Sequence, residues 1–537
     1  MTQQEQKDNA EENNQLEIGG RYAKYVLFVL LIVYVFNFID RQILSILAED
    51  IKADLGISDA EIGFLYGTAF AVFYAVFGIP LGRLADTWIR KNLIAIGLLF
   101  WSLMTALSGT ARSFGMLATY RIGVGIGEAS ASPAAFSMLA DYFSPKQRAT
   151  VSGIYASGVY IGAGIGIFLG GLILDGWHDI YPDPQASPFN LKGWHVAFFA
   201  VGIPGILMAI WVATIKEPIR GISEGLVVPS HPTPFRESWK ELQAMMPLIN
   251  LILIYRNGPG IPAVITNLIA LVSIFTLSCL LVFITGDLAQ WVALGFGVYV
   301  AFCWSQNLRY SDSATFHMMF GSKTFVLAVC GFPFLSFIAY GLSFWGPPYV
   351  QRAFGVSASE AGTVMGLCIA LGGWLGVTLG GFLGDWFRER SVLGRYYVVF
   401  ISLALCLPTG LGFTITTDKT IAYIAFFLFS AVSPMWLGCA VSTINDLVMP
   451  RMRAIASAFY ILMLTFIGLA LGPYSIGLAS DIMTANGFDH ATALRYAMIL
   501  GLAALLPATI NLVWSSSTLQ HDESSRLIRA RSLGEPI

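Results

Sequence analysis

Fourteen apolar stretches, each about twenty residues long, follow one another through this chain, and a helix of that length spans the hydrocarbon of a bilayer. No water reaches a backbone amide there, so each stretch must satisfy its hydrogen bonds internally, which leaves a helical bundle as the fold. Six runs lie near 24–48, 60–84, 93–112, 115–140, 149–174 and 194–215, two near 263–285 and 288–305, and six near 323–350, 359–384, 396–415, 420–446, 454–480 and 493–515. With 56% hydrophobic and 12% charged residues among 537, lipid is the solvent to which the chain is fitted. A net charge of −2 leaves no basic footprint for nucleic acid. Cys279, Cys303, Cys330, Cys368, Cys406 and Cys439 lie in or beside apolar runs without paired spacing, so free thiols are expected, and neither disulfides nor a metal site. The chain carries no HExxH, P-loop or helix-opening GxGxxG, which argues against an enzyme and implies no cofactor.

Basic residues fix the expected orientation. Arg83, Arg90 and Lys91 follow the second run, Lys146 and Arg148 the fourth, and Arg388, Arg390, Arg395, Arg451 and Arg453 stand at matching places later. These loops are expected to be cytoplasmic, and both termini with them. Residues 1–20 are polar and acidic without a short apolar core, so the first span is expected to stay rather than leave as a signal peptide. The expected organisation is a tail over 1–23, a six-helix bundle over 24–216, a linker over 217–322 with two extra spans, a second bundle over 323–516 and a tail over 517–537. Phe235, Trp239, Leu242 and Met246 recur at helical spacing among charges in that linker, which suits an interfacial helix or a folded linker equally.

The halves repeat each other. Gly56, Ser58, Glu61, Gly63, Gly67, Gly82, Leu84 and Asp86 match Gly355, Ser357, Glu360, Gly362, Gly366, Gly381, Leu383 and Asp385, all 299 positions on. Asp141, Pro145 and Arg148 match Asp446, Pro450 and Arg453, 305 positions on. Two units in parallel orientation imply a pseudo-twofold axis along the membrane normal, with a substrate site near the midplane between them.

Charges interrupt two runs, at Asn37-Phe38-Ile39-Asp40-Arg41 and at Arg121 through Glu128. A charge at membrane depth costs at least about 2.5 kcal/mol and faces a wet cavity or a partner far more often than lipid, so the chain is expected to move something. Arg121 and Glu128 share a helix face about 10.5 Å apart, and Asp40 and Arg41 point about 100° apart. The repeat offsets put Ala339, Phe426 and Ser433 where the first half has Asp40, Arg121 and Glu128. Tyr340, Phe344, Trp345, Trp436 and Tyr460 supply aromatic surface there instead, a charged wall facing an aromatic one. Gly153, Gly158, Gly162, Gly164, Gly166, Gly170 and Gly171 crowd the fifth span, where small residues permit close helix contact.

Gly82-Arg83-Leu84-Ala85-Asp86 ending in Arg90-Lys91, with its echo Gly381-Phe382-Leu383-Gly384-Asp385, resembles the signature of the major facilitator superfamily. Asn37-Phe38-Ile39-Asp40-Arg41, Gly125-Ile126-Gly127-Glu128-Ala129-Ser130 and Gly193-Trp194-His195 resemble the spinster-type transporters within it, which are associated with lysophospholipids and sphingoid phosphates. The resemblance implies an all-α membrane fold of two six-helix bundles, here with two additional spans, cycling by alternating access. Asp40 lies about eight residues from the outer end of its span and Arg121 about six from that of its own, so their depths match; the resemblance puts the first and fourth helices at the central cavity, and Asp40 is therefore expected to pair with Arg121, leaving Glu128 free for a proton or a cation. Proton uptake at Glu128 or Asp40 would then release Arg121 for an anionic head group. Asp86, with Gly82, Arg90, Lys91, Arg148, Asp385 and Arg453 around the cytoplasmic mouth, is expected to cap the helix beginning near Arg453 and hold that gate shut. The expected protein is a proton-coupled carrier of an amphiphile, working as a monomer in a plasma membrane, the inner one if bacterial; a drug or organic-anion antiporter and a lipid-binding sensor are the rivals.

Overall fold

The computed structural model describes residues 18–225 and 231–535, all in helices and short turns with no strand among them. Residues 1–17, most of the expected acidic tail, lie outside the described residues, as do 226–230 and 536–537. The first half contains α1 (Arg21–Ile46), α2 (Asp59–Thr87), α3 (Arg90–Ser108), α4 (Phe114–Glu128), α5 (Ala131–Tyr142), α6 (Arg148–Ile180) and α7 (Gly193–Thr214). Between the halves come α8 (Pro234–Met245), α9 (Ile261–Thr285) and α10 (Leu288–Ser311). The second half contains α11 (Lys323–Phe354), α12 (Ala358–Arg388), α13 (Gly394–Ile415), α14 (Lys419–Asp446), α15 (Pro450–Ala485) and α16 (His490–Ser524).

Among the described residues, 13 helices are long and apolar enough to cross a membrane. The run expected as one helix over 115–140 is instead α4 and α5, separated by a turn at Ala129 and Ser130. Pro133 just beyond has no amide hydrogen to return to residue 129, and Pro434 sits in the matching turn of α14. The last span also runs further than expected, to Ser524, and a short helix Arg526–Ser532 follows it.

The sequence repeat reappears as repeated bonds. Arg90 pairs with Asp141, and 305 positions on Arg395 Nη1 lies 2.5 Å from Asp446 Oδ2. Arg148 Nε donates to the Ala140 carbonyl at 3.3 Å, and Arg453 Nε to the Asn445 carbonyl at 3.4 Å. A salt bridge and a turn closure are thus duplicated with the chain.

The halves meet along two seams, α2 against α15 and α6 against α12. Both are tight at the ends away from the basic loops. A Cβ added at Gly67 would stand 2.5 Å from the Leu469 carbonyl oxygen, and one at Gly164 would stand 2.4 Å from that of Gly366, so only glycine allows the backbones to touch. Toward the basic loops the same helices part, and a Cβ at Gly78, Gly82, Gly153 or Gly381 would meet nothing within 4 Å. A cleft therefore opens between the halves on the basic face and is closed on the opposite one.

Helix α8 packs on α2, where Ser238 Oγ donates to the Pro80 carbonyl at 2.7 Å, and leaves Phe235 and Trp239 more than half exposed. It is both a packed linker and an amphipathic surface. The α9–α10 hairpin is fastened by Asn267, which donates to Gln306 at 2.7 Å and accepts from the Tyr299 hydroxyl at 2.5 Å.

Candidate functional site

The intramembrane charges lie on α1 and α4, each braced by a neighbouring helix. A Cβ at Gly125 would stand 2.5 Å from the Phe70 carbonyl oxygen, so α4 lies against α2, and one at Gly162 would stand 2.4 Å from that of Val35, so α6 lies against α1. Arg41 Nε of α1 donates to Glu128 Oε2 of α4 at 2.7 Å. The Arg41 guanidinium also lies over the rings of Phe70 at 4.2 Å, Phe38 at 4.8 Å and Tyr74 at 4.8 Å. Of the four charged residues it is the least enclosed: Arg41 is 9% exposed, against 1% for Asp40 and none for Arg121 and Glu128.

This corrects the pairing expected from helix depth. Arg121 makes no side-chain ion pair with Asp40; it donates to the Asp40 backbone carbonyl at 3.1 Å and to that of Leu65 at 3.4 Å. Glu128 is not free, because Arg41 holds it. The Asp40 carboxylate turns toward Trp101 and Thr105, while Asn37 stands beside Glu128. Asn37 Oδ1, Asp40 Oδ1, Trp101 Nε1, Thr105 Oγ1, Arg121 Nη2 and Glu128 Oε1 are buried without a hydrogen-bond partner among the described residues. Such groups are rare in native interiors, and here six of them gather around one charged cluster.

The second half contributes less aromatic lining than expected. Tyr340 is partly exposed. Phe344 and Trp345 are fully buried in the closed end instead. Phe344 stacks on Tyr66 at 4.2 Å, its carbonyl accepts from Ser45 at 2.5 Å, and Trp345 Nε1 donates to the Pro473 carbonyl at 2.8 Å. Trp436 and Tyr460 both pack on Phe332, at 5.6 and 6.2 Å, and Ser433 is buried in the turn of α14. Apolar rings follow close packing wherever it is offered, so most of this wall is core.

On the basic face, Asp86 is exposed among Arg220, Arg83 and Arg90. Among the described residues it makes no bond to Arg453 or its neighbours, so the expected cap is absent in this open state. Arg90 is committed elsewhere, pairing with Asp141 and with Glu217 at 2.7 Å, while the Lys91 amide donates to Glu217 at 2.9 Å. Arg148 binds Glu224 at 2.6 Å. These contacts clamp the segment after α7 beneath the first half. Asp385 and Gly381 lie at the corresponding end of α12.

The closed end contains residues that sequence reading passed over. Arg352, at the end of α11, donates to Asp59 at 2.7 and 2.9 Å and to Glu49 at 2.6 and 3.0 Å, joining the halves. Lys52 also reaches Asp59, and Ser480 donates to it at 2.7 Å. Asp481 of α15 accepts from the amides of Asp59 and Ala60 at 3.0 and 2.7 Å, and Asp175 of α6 accepts from the Ser359 amide at 2.7 Å. Each carboxylate caps the positive N-terminus of a helix in the other half. A signal existed: Ser58-Asp59-Ala60-Glu61 and Ser357-Ala358-Ser359-Glu360 are repeated helix starts, and Asp175 and Asp481 recur 306 positions apart.

The Major Facilitator Superfamily profile matches residues 30–473. The chain belongs to that superfamily. Its family and fold are therefore those of multi-pass membrane transporters rather than enzymes. Within the superfamily it is similar to "MFS-type efflux pump" of Mycolicibacterium smegmatis, 26% identical over 91% of each chain, and to human "Protein spinster homolog 1", 26% identical over 90% of this chain and 78% of that one. A solved bacterial homologue of the human lysosomal transporter spinster, in an inward-facing, unoccupied conformation, superposes with a TM-score of 0.69 at 26% identity, covering 94% of this chain and 98% of that one. The spinster-type resemblance thus holds along nearly the whole facilitator chain.

Proposed function

We propose that this transporter couples proton movement to that of an amphiphile with an anionic head, of the lysolipid or sphingoid-phosphate kind, with its basic face in the cytoplasm. The observation that carries the reading is Arg41: the least enclosed of the intramembrane charges, its guanidinium over three aromatic rings, with Glu128 as its counter-ion. A buried pair that loses one charge leaves the other uncompensated at high cost. One proton on Glu128 therefore frees Arg41 to take the negative charge of a head group, and departure of that head group favours re-forming the pair. Arg41 replaces Arg121 in this role, since Arg121 is buried and bound to carbonyls.

The homologue described as inward-facing supports assigning the open face to the cytoplasm, and the basic loops agree. In proteoliposomes, an imposed pH gradient is expected to drive concentrative movement of a labelled lysolipid; flux indifferent to that gradient removes the coupling. A second reading is favoured by the similarity to an efflux pump over 91% of both chains: a drug or small organic anion as substrate. Competition settles the choice, since a lysolipid that fails to displace such an anion, or to be displaced by it, does not share the Arg41 site.

A further inference from the structure

The inserted hairpin lies along one particular seam. Helix α9 packs on α10 and on the short helix Ile249–Asn257 and turns the rest of its surface outward, whereas α10 runs down the line where α2 of the first half meets α15 of the second. Near the closed face Trp291 meets Tyr474 edge-on at 5.6 Å, and the Tyr474 hydroxyl donates to Asp287 at 2.6 Å. Further along, Phe296 stacks with Phe73 at 6.3 Å. A Cβ at Gly297 would stand 2.9 Å from both Val72 and Phe466, one from each half. Toward the basic face Trp304 stacks with Phe459 at 6.0 Å, and α8 covers α2 beyond that, through Ser238 and Pro80. The seam between α2 and α15 is thus covered from end to end.

The other seam is bare. Gly164 against Gly366, and Gly171 against Ala358, close its outer part. Tyr160 lies over Gly373 below them, and no inserted helix packs along it among the described residues. Below Tyr160, Gly153 and Gly381 face open space, and Ile154, Phe382 and Trp386 present apolar surface there.

We infer that α10 is a lateral seal: it shuts the α2–α15 seam to the tail of an amphiphile and leaves the α6–α12 seam as the side by which that tail passes between cleft and bilayer. The inference rests on the amphiphile reading above. A head group held at Arg41 leaves an apolar tail to be accommodated, and the uncovered seam is the one flanked by the exposed apolar side chains of Ile154, Phe382 and Trp386.

The test is a lysolipid carrying a diazirine at the end of its tail, photolysed in proteoliposomes of the full chain, with adducts mapped by mass spectrometry with and without excess unlabelled lysolipid. Competable label is expected on α6 and α12, around Ile154, Phe382 and Trp386, and not on α2, α10 or α15. The double variant Phe296→Ala, Trp304→Ala loosens the strap and is expected to shift part of that label onto α2 and α15. Competable label on α2 or α15 of the unmodified protein overturns the inference, and that measurement needs no variant to fold. Flux of the same lysolipid in the same vesicles separates the two ideas: flux with label on the covered seam removes the seal alone, whereas neither flux nor competable label on any helix removes the amphiphile reading and the seal together.

Discussion

Arg352→Gln is the perturbation that isolates the closed end. Arg352 is held chiefly by Asp59, whose side chain is 2% exposed, and removing one member of so buried a pair costs about 3 to 5 kcal/mol. Glu49, at 30% exposure, adds little. Only the conformer closed on this face contains the bond, so a loss of about 3 kcal/mol moves the ratio of the two access states by roughly 150-fold toward the one open here. Pulsed spin-label distances read this directly in a Cys279→Ser background, which removes the exposed thiol. One pair, at Ala186 and Thr417, reports on the closed face, and another, at Lys146 and Arg390, on the basic face. Arg352→Gln should lengthen the first distance and shorten the second. Unchanged distributions at both pairs would refute the claim that this ion cluster holds the state.

Other consequences follow from the same geometry. Arg41→Lys keeps the charge but loses the planar stack on Phe38, Phe70 and Tyr74, and should raise KM about tenfold with a smaller change in kcat, measured as lysolipid uptake. Gly164→Val sets atoms where the Gly366 carbonyl stands, and should favour the opposite-facing state in the same spin-label assay; an unaltered distance distribution contradicts the close contact. Asp312, outside the spans, has its carboxyl held at about 2 by hydrogen bonds from the Arg451 guanidinium. A depressed carboxylate stabilises above its ordinary value and loses that contribution only as pH falls through about 2, so this pair stays intact over about pH 5 to 8. Asp312→Asn should therefore leave the pH profile of flux unmoved, and a flattened profile would assign the pH response to the wrong end of the molecule.

The spans and the duplication were legible because lipid imposes them residue by residue: length, apolarity and the 299- and 305-residue offsets need no knowledge of packing. The charged cluster was legible as residue types but not as pairs. Matching depth along two helices brought Asp40 opposite Arg121, yet depth says nothing about rotation. Contacts at Gly125 and Gly162 turn α4 and α1 so that Arg41 meets Glu128. Phe344 and Trp345 were read as lining because aromatic type alone cannot separate a cavity wall from the packed end that the Pro473 carbonyl completes. Arg352 and Asp59 stand 293 residues apart, and only the closure of the halves brings them together, so nothing along the chain marks them as a pair.

The claim on which the account turns is that a proton on Glu128 releases Arg41 to bind the substrate's head. Uptake of a labelled lysolipid against its gradient, driven by an imposed pH difference in proteoliposomes, tests it with Glu128→Gln beside the unaltered chain. Glu128→Gln is expected still to exchange labelled for unlabelled lysolipid but neither to accumulate it nor to respond to pH. Accumulation by Glu128→Gln with the pH response of the unaltered protein would contradict the claim.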